Sequence, residues 1–333
     1  MSLNQMDEEM GVSESQDAST WSGLKPYISI ARPDHWFKNV FVLPGVALGI
    51  LISGEAGWLD LANIILCLIS VCLVASANYT INEWLDAEFD RHHPVKKSRP
   101  SVGGHVKPGF VYLQYALLSV VGLWFAYLVS NSALYTMVFL LLMGLIYNVP
   151  PIRSKDRVYV DVLSESINNP IRFMLGWFAI VDTVLPPSSI LLAYWMGGAF
   201  LMGAKRLSEY RFIDDPDRAG LYRRSFQFYD EQKLLLSVVF YALMSAFFFG
   251  VFLIKYRIEL LLVSPALALL FAWYLQIALK PRSTAQAPEK LYKEKGFVLF
   301  LLFLCALIGV LLFVDIPWLD FLVEYTAIDW SPR

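Results

Sequence analysis

Cysteine is scarce: three in 333 residues, Cys67, Cys72 and Cys305, all inside apolar runs and with no paired spacing. That excludes a disulfide framework and a cysteine-ligated metal site, and leaves the thiols as packing groups. The four histidines, His35, His92, His93 and His105, show no HExxH-type spacing. There is no glycine-rich nucleotide loop, no CxxC and no Ser-His-Asp set. Charge is also sparse: 17% of residues are charged and the net charge is −2, which gives no electrostatic case for a nucleic-acid partner. The first twenty residues, MSLNQMDEEMGVSESQDAST, lack the basic start and apolar stretch of a signal peptide, and read as a disordered cytoplasmic tail.

What the chain has instead is apolar length. It is 57% hydrophobic with a positive mean hydropathy, as expected of a polytopic membrane protein. Nine segments reach spanning length, at about 37–53, 61–80, 110–129, 133–149, 158–181, 187–207, 234–254, 258–278 and 297–316. The loops alternate in charge. Lys25, Arg32 and Lys38 precede the first span, and basic groups recur at 91–107, 153–157, 205–233 and 280–295. The 1–2, 3–4 and 5–6 loops carry no Lys or Arg. The positive-inside rule therefore places the N-terminus and the basic loops in the cytoplasm, and the tail with Asp315, Asp320, Glu324 and Asp329 outside. The expected organisation is all-α: a disordered tail over 1–24, a nine-helix bundle over 25–320 and a short extracytoplasmic tail over 321–333.

The chain is organised around NEWLDAEFDRHHPVKKSRP, residues 82–100. Asn82, Asp86 and Asp90 recur every four residues, on one helical face at the end of an apolar run. Aligned carboxylates there are costly unless paired, solvated or bound to a cation. Arg91, Lys96, Lys97 and Arg99 follow at once. Acids and bases together suit a divalent cation carrying a phosphorylated ligand; a solvated loop with positive bias accounts for the bases but not for the helical register.

Four other clusters stand out. RPDHWFKN, residues 32–39, precedes the first span and reads most simply as a juxtamembrane anchor. Asp161, Glu165, Asn168 (or Asn169) and Arg172 form one helical stripe inside an apolar segment; it is a functional candidate, or an internal ion pair of Glu165 or Asn168 with Arg172. Lys205, Arg206 and Glu209 close the sixth span and run on to Asp214, Asp215 and Asp217, either a second acidic group or a charged surface loop. LYRRSFQFYD, residues 221–230, fits a helix covering the site or one lying on the membrane surface.

The pattern of Asn82, Asp86 and Asp90, with His93, Pro94, Lys96, Arg99 and Pro100 after it, resembles the UbiA superfamily of intramembrane prenyltransferases. Arg32, Pro33, Trp36, Lys38 and Asn39, with Lys205, Arg206 and Glu209, resemble its decaprenyl-phosphate phosphoribosyltransferase branch. Glu83 stands where the family usually has Asp, and Asp214, Asp215 and Asp217 only approximate its second DxxxD motif. The resemblance implies a nine-helix fold and Mg²⁺ held with a pyrophosphate-bearing donor by Asn82, Asp86 and Asp90, joined by Glu209. Lys38, Lys96, Arg99 and Lys205 would neutralise phosphate, and Asn39, Arg206, Asp161, Asn168 and Arg172 would complete substrate binding. The implied reaction transfers phosphoribose from phosphoribosyl pyrophosphate to a polyprenyl phosphate. Prenyl transfer from an isoprenoid diphosphate to an aromatic or other acceptor is the second reading. A lipid-phosphate transporter is a third, without the inverted repeat many such proteins show. The bilayer is the expected medium, and an oligomer is compatible with the sequence.

Overall fold

The computed structural model describes residues 23–54, 57–91, 96–213, 215–281 and 283–322. The tail expected over 1–24 falls almost wholly outside them, as do His92, His93, Pro94, Asp214, Glu324 and Asp329 and the side chains of Asp217 and Asp320. The secondary structure among the described residues is helical throughout.

A short helix α1 (Lys25–Ala31) leads through a 3₁₀ segment, Pro33–Val42, into α2 (Leu43–Ser53). Gly54 ends α2 at φ +77°, a conformation glycine takes without a Cβ penalty. Helix α3 (Trp58–Asp90) is unbroken for 33 residues. At 1.5 Å per residue it is about 50 Å long, against a hydrocarbon layer of about 30 Å. Its last turns therefore carry Asn82, Asp86 and Asp90 clear of the apolar zone. Helices α4 (Pro108–Val129) and α5 (Asn131–Asn148) form a tight hairpin, capped by Ser130, whose hydroxyl accepts from Ala133 N at 3.1 Å.

The segment expected at 158–181 is two helices, α6 (Val160–Ser166) and α7 (Asn168–Phe178), meeting at Ile167. Pro170 has no N–H to offer the Ser166 carbonyl, so the ladder breaks there. Helix α8 (Ser188–Ile213) follows, then the short α9 (Pro216–Tyr222), α10 (Glu231–Tyr256), α11 (Ser264–Ala278) after a 3₁₀ turn, and α12 (Lys295–Phe313). The break between Tyr256 and Ile258 falls at the Lys255–Arg257 triplet read from the sequence.

Among the described residues, seven segments are long and apolar enough to cross a membrane: 25–53, 58–90, 108–129, 131–148, 231–256, 258–278 and 295–313. The other two expected spans are helical but fall short on that measure. One is interrupted at Ile167, and the other ends in Lys205, Arg206, Glu209 and Arg211. The protein is an integral, multi-pass membrane protein.

Helices α2 and α7 cross at backbone contact. A Cβ on Gly45 would lie 1.9 Å from the Phe173 carbonyl oxygen, and one on Gly176 would lie 2.0 Å from that of Val42. Small residues permit such crossings in membranes. This crossing sets the 3₁₀ segment beside α7 and brings Asn39 to Arg172, with Arg172 Nε donating to Asn39 Oδ1 at 2.9 Å.

Candidate active site

The last turns of α3 are fully engaged. Asn82 donates to Asn148 Oδ1. Asp86 accepts from Arg153 Nη2 at 2.9 Å and from Lys155 Nζ at 2.5 Å, and Lys155 also reaches Asn148 Oδ1 at 2.8 Å. Asp90 accepts from Arg99 Nη1. Glu83 is buried and accepts from Arg32 Nη2 at 3.0 Å and Ser101 Oγ at 3.3 Å. The guanidinium of Arg153 lies over the Phe89 ring at 4.8 Å, and that of Arg224 at 5.2 Å.

The three described non-glycine residues with positive φ all belong to this end of the molecule: Arg32 (50°), Arg153 (32°) and Tyr159 (63°). Two of them aim a guanidinium at an α3 carboxylate. Residues held there cost free energy and persist where surrounding contacts over-determine them.

A second network centres on Arg206, only 1% exposed near the end of α8. It donates to Glu165 Oε2 at 2.5 Å and Glu209 Oε2 at 3.0 Å, and its Nε faces Asp161 Oδ2 at 3.6 Å. Tyr147 donates to the same Glu165 oxygen at 2.7 Å. The Lys155 ammonium lies 5.7 Å from the Tyr147 ring, so the two networks adjoin.

The segment 221–230 closes over this second network. Ser225 and Tyr229 donate to Asp161 at 3.1 and 2.9 Å, and Arg223 Nη1 lies 3.9 Å from the same carboxylate. Lys96 donates to the Tyr222 hydroxyl and sits 4.6 Å from its ring centroid. The segment thus packs its buried side chains on this network and leaves Leu221 and Phe228 exposed. Burial pushes the Lys96 ammonium down to about 8, against the pull of Glu209. Burial also pushes Lys155 down to about 8, against Asp86. Tyr222 is raised to about 12 by burial, then by Glu209.

Apart from Lys38, the expected site residues thus fall into two groups. Asn82, Asp86, Asp90, Lys96, Arg99, Asp161, Lys205, Arg206 and Glu209 lie in one polar layer at the end of α3 and α8. Asn39, Asn168 and Arg172 lie apart, where α7 meets the 3₁₀ segment. The expected stripe from Asp161 to Arg172 divides at the Ile167 break. Arg172 meets neither Glu165 nor the Asn168 side chain; it takes Asn39 and the Asn168 carbonyl, the latter at 3.3 Å, while Glu165 takes Arg206. Among the described residues no three acidic, histidine or cysteine side chains form a metal-type cluster. Glu209 therefore stands with Arg206 rather than in one carboxylate set with Asp86 and Asp90.

The segment 32–39 is tied to the bundle while the side chains of Trp36 and Phe37 stay exposed. Trp36 Nε1 donates to Ser76 Oγ on α3 at 2.9 Å, and Asn39 is 2% exposed. Lys38 contacts His35 Nδ1 at 3.5 Å. Sequence reading missed Arg153, Lys155 and Tyr147 as site groups. The basic pair entered it only as loop charge, and a tyrosine at a helix end carries no signal of its own.

Comparison with known proteins agrees with this architecture. The UbiA prenyltransferase family matches residues 42–304. The decaprenyl-phosphate phosphoribosyltransferase of Mycolicibacterium smegmatis is 28% identical over 216 residues, 64% of this chain and 65% of that protein. The same-named protein of Mycobacterium tuberculosis is 30% identical over 190 residues, 56% of this chain and 61% of that one. The aligned stretch thus spans a little under two thirds of those relatives' length. A UbiA homologue from Archaeoglobus fulgidus, solved bound to GPP and Mg²⁺, superposes with a TM-score of 0.65 at 21% identity, covering 87% of this chain and all of that one. A family match over more than three quarters of the chain, on a bundle of that fold, makes this protein a member of the UbiA prenyltransferase family.

Proposed function

We propose that the protein is a Mg²⁺-dependent membrane phosphoribosyltransferase that moves phosphoribose from phosphoribosyl pyrophosphate to the phosphate of a polyprenyl lipid. The observation that carries this reading is the end of α8. There Lys205, Arg206 and Glu209 continue into the bundle, with Arg206 buried among Asp161, Glu165 and Glu209. Of the acidic run after them, Asp215 is exposed and accepts from Arg218 N at 3.2 Å. Two relatives named for this transfer support the same reading.

The donor set on α3 fits a hard cation. Asp86, Asp90 and Asn82 offer only oxygen ligands from the side chains that face one way, and Mg²⁺ is commonly held by one or two carboxylates with phosphate oxygens. Those three residues would hold it, and when bound it supplies positive charge against the leaving pyrophosphate. Lys96, Arg99, Arg153, Lys155 and Lys205 surround the same region and bind the remaining phosphate charge. In the transfer, the bond from the ribose anomeric carbon to the pyrophosphate oxygen breaks, and its electron pair leaves with pyrophosphate. A lipid phosphate oxygen forms the new bond to that carbon. Fixed cations aimed at the leaving group lower the barrier because the charge they meet develops in the transition state. The 221–230 segment, tied to Asp161, keeps water from the cation formed at carbon. By the positive-inside pattern the site opens to the cytoplasm.

The test is pyrophosphate release by purified protein with Mg²⁺ and polyprenyl phosphate. Release with phosphoribosyl pyrophosphate, dependent on the lipid phosphate, is the expected result. Release only from an allylic diphosphate with an aromatic acid would make the protein a prenyltransferase. No release from either donor, with lipid still bound, would favour a carrier.

A further inference from the structure

Among the described residues two arginines are buried, and they are treated oppositely. Arg206 meets three carboxylates. Arg172, 8% exposed on α7, meets none among the described residues. Its Nε donates to Asn39 Oδ1 at 2.9 Å and its Nη1 to the Asn168 carbonyl at 3.3 Å, both neutral acceptors. A guanidinium inside a membrane bundle without a counter-charge is costly, and such groups mark ligand sites.

The surroundings specify what is missing. Asn39, which holds the guanidinium, also donates to Cys72 Sγ at 3.2 Å, and Tyr79 lies two turns further along the same face of α3. The Tyr79 ring packs edge-on against His35 at 5.3 Å, and its hydroxyl makes no hydrogen bond among the described residues. The Asn168 side-chain oxygen is buried and equally unpartnered. Phe173, next to Arg172 in the chain, belongs to an aromatic wall: Tyr194 lies 5.2 Å from Phe173 and 6.0 Å from Phe41. A guanidinium with only neutral acceptors, spare polar groups and an apolar wall suit an amphiphile with a small anionic head. Tyr79 is one helical turn before Asn82 and Glu83 on α3, so a head group held there adjoins the donor-binding turns.

We propose that Arg172, with Tyr79 and Asn168, forms the subsite for the phosphate head group of the acceptor lipid, distinct from the α3 donor site. The assignment of that lipid as acceptor rests on the phosphoribosyl reading; the binding itself does not. Arg172 supplies the counter-charge, Tyr79 donates to a phosphate oxygen, and the Phe41–Tyr194–Phe173 wall takes the first isoprene units. Asn39 is a positioning residue, holding the guanidinium through Nε.

The experiment measures direct binding of farnesyl phosphate in detergent to the purified full chain, with farnesol and inorganic phosphate as separate probes. Wild type binds farnesyl phosphate more tightly than either. Arg172→Gln weakens farnesyl phosphate about tenfold or more, as loss of a charged hydrogen-bond partner predicts, and leaves farnesol and Mg²⁺–phosphoribosyl pyrophosphate binding unchanged. Arg172→Lys recovers part of the loss. Undiminished farnesyl phosphate binding by Arg172→Gln overturns the proposal, and so does an equal loss of both donor and lipid. Inorganic phosphate binding as tightly as farnesyl phosphate also overturns it, since the site would then serve a soluble anion. Should Arg172→Gln not fold, Tyr79→Phe decides: a several-fold loss confined to farnesyl phosphate supports the subsite, and no loss sinks it. Absence of pyrophosphate release by the wild type would overturn the phosphoribosyl reading while leaving this binding result intact.

Discussion

Lys155 donates to Asp86 across 69 residues of chain, from a loop to the end of α3, at 2.5 Å. With Arg153 on the same carboxylate oxygen, Asp86 is held by two cations before any ligand arrives. Such an arrangement readies both signs of charge: the acid for a metal and the bases for phosphate.

Asp86→Asn and Asp90→Asn are each expected to lower turnover by about 10²-fold or more, the scale for removing one electrostatic element of an active site. Both variants should still insert and run as the wild type in size exclusion. Turnover near wild type in either would remove that carboxylate from the donor site.

Arg206→Met leaves Asp161 and Glu209 buried without their shared cation. Breaking a buried pair from one side costs about 3–5 kcal/mol, so the thermal midpoint in detergent should drop by several degrees. Arg206→Lys keeps the charge but not the fork that reaches Glu165 and Glu209 together, and should recover only part of the drop. A melting curve that matches wild type in the methionine variant would show that the cluster does not hold the α6–α8 contact.

Lys96 gives a pH signature with two opposite signs. Its ammonium is pushed down to about 8, mainly by burial, from an ordinary 10.5. Above that folded value the unfolded chain binds more protons, so the Lys96 contribution makes stability rise with pH toward 10.5. Phosphate binding needs the charged form, so kcat/KM should fall through about pH 8 over the same window. Lys96→Arg, charged throughout, should move the alkaline limb upward. An unmoved limb would assign it to another group.

Tyr229→Phe removes a donor to Asp161 and leaves Tyr159 N, now 2.6 Å from that hydroxyl, without its acceptor. The loss of about 1–3 kcal/mol falls on the contact that keeps 221–230 down. Limited proteolysis should cut this segment faster in the variant, and the KM for the donor should rise. Equal cutting rates would mean that Phe226, at 1% exposure, anchors the segment without help.

Much of this site was legible because it obeys a helical period. Asn82, Asp86 and Asp90 share a face on α3, and Lys205, Arg206 and Glu209 end α8, as their spacing requires. Apolar length and loop charge marked the spans. What escaped was pairing across long separations. Nothing in the local sequence ties Arg153 to Asp86, or Tyr147 to Glu165, because neither pair shares an element. The stripe from Asp161 to Arg172 was read as continuous although Pro170 lies within it, and a break of one residue sent its two ends to different partners. Glu83 registered only as a departure from the family pattern; its reach to Arg32 depends on the fold of the 3₁₀ entrance.

The charged α6–α7 and α8 segments also constrain how the protein is made. Neither is apolar enough to favour lipid by itself, because each carries ionisable groups that the other neutralises. Asp161 and Glu165 are synthesised first and meet their cation only after some forty further residues, when Arg206 emerges. The carboxylates of the earlier segment are therefore matched by this cation only once the later segment has been made. The order of synthesis, and not only the finished contacts, is written into the placement of one arginine.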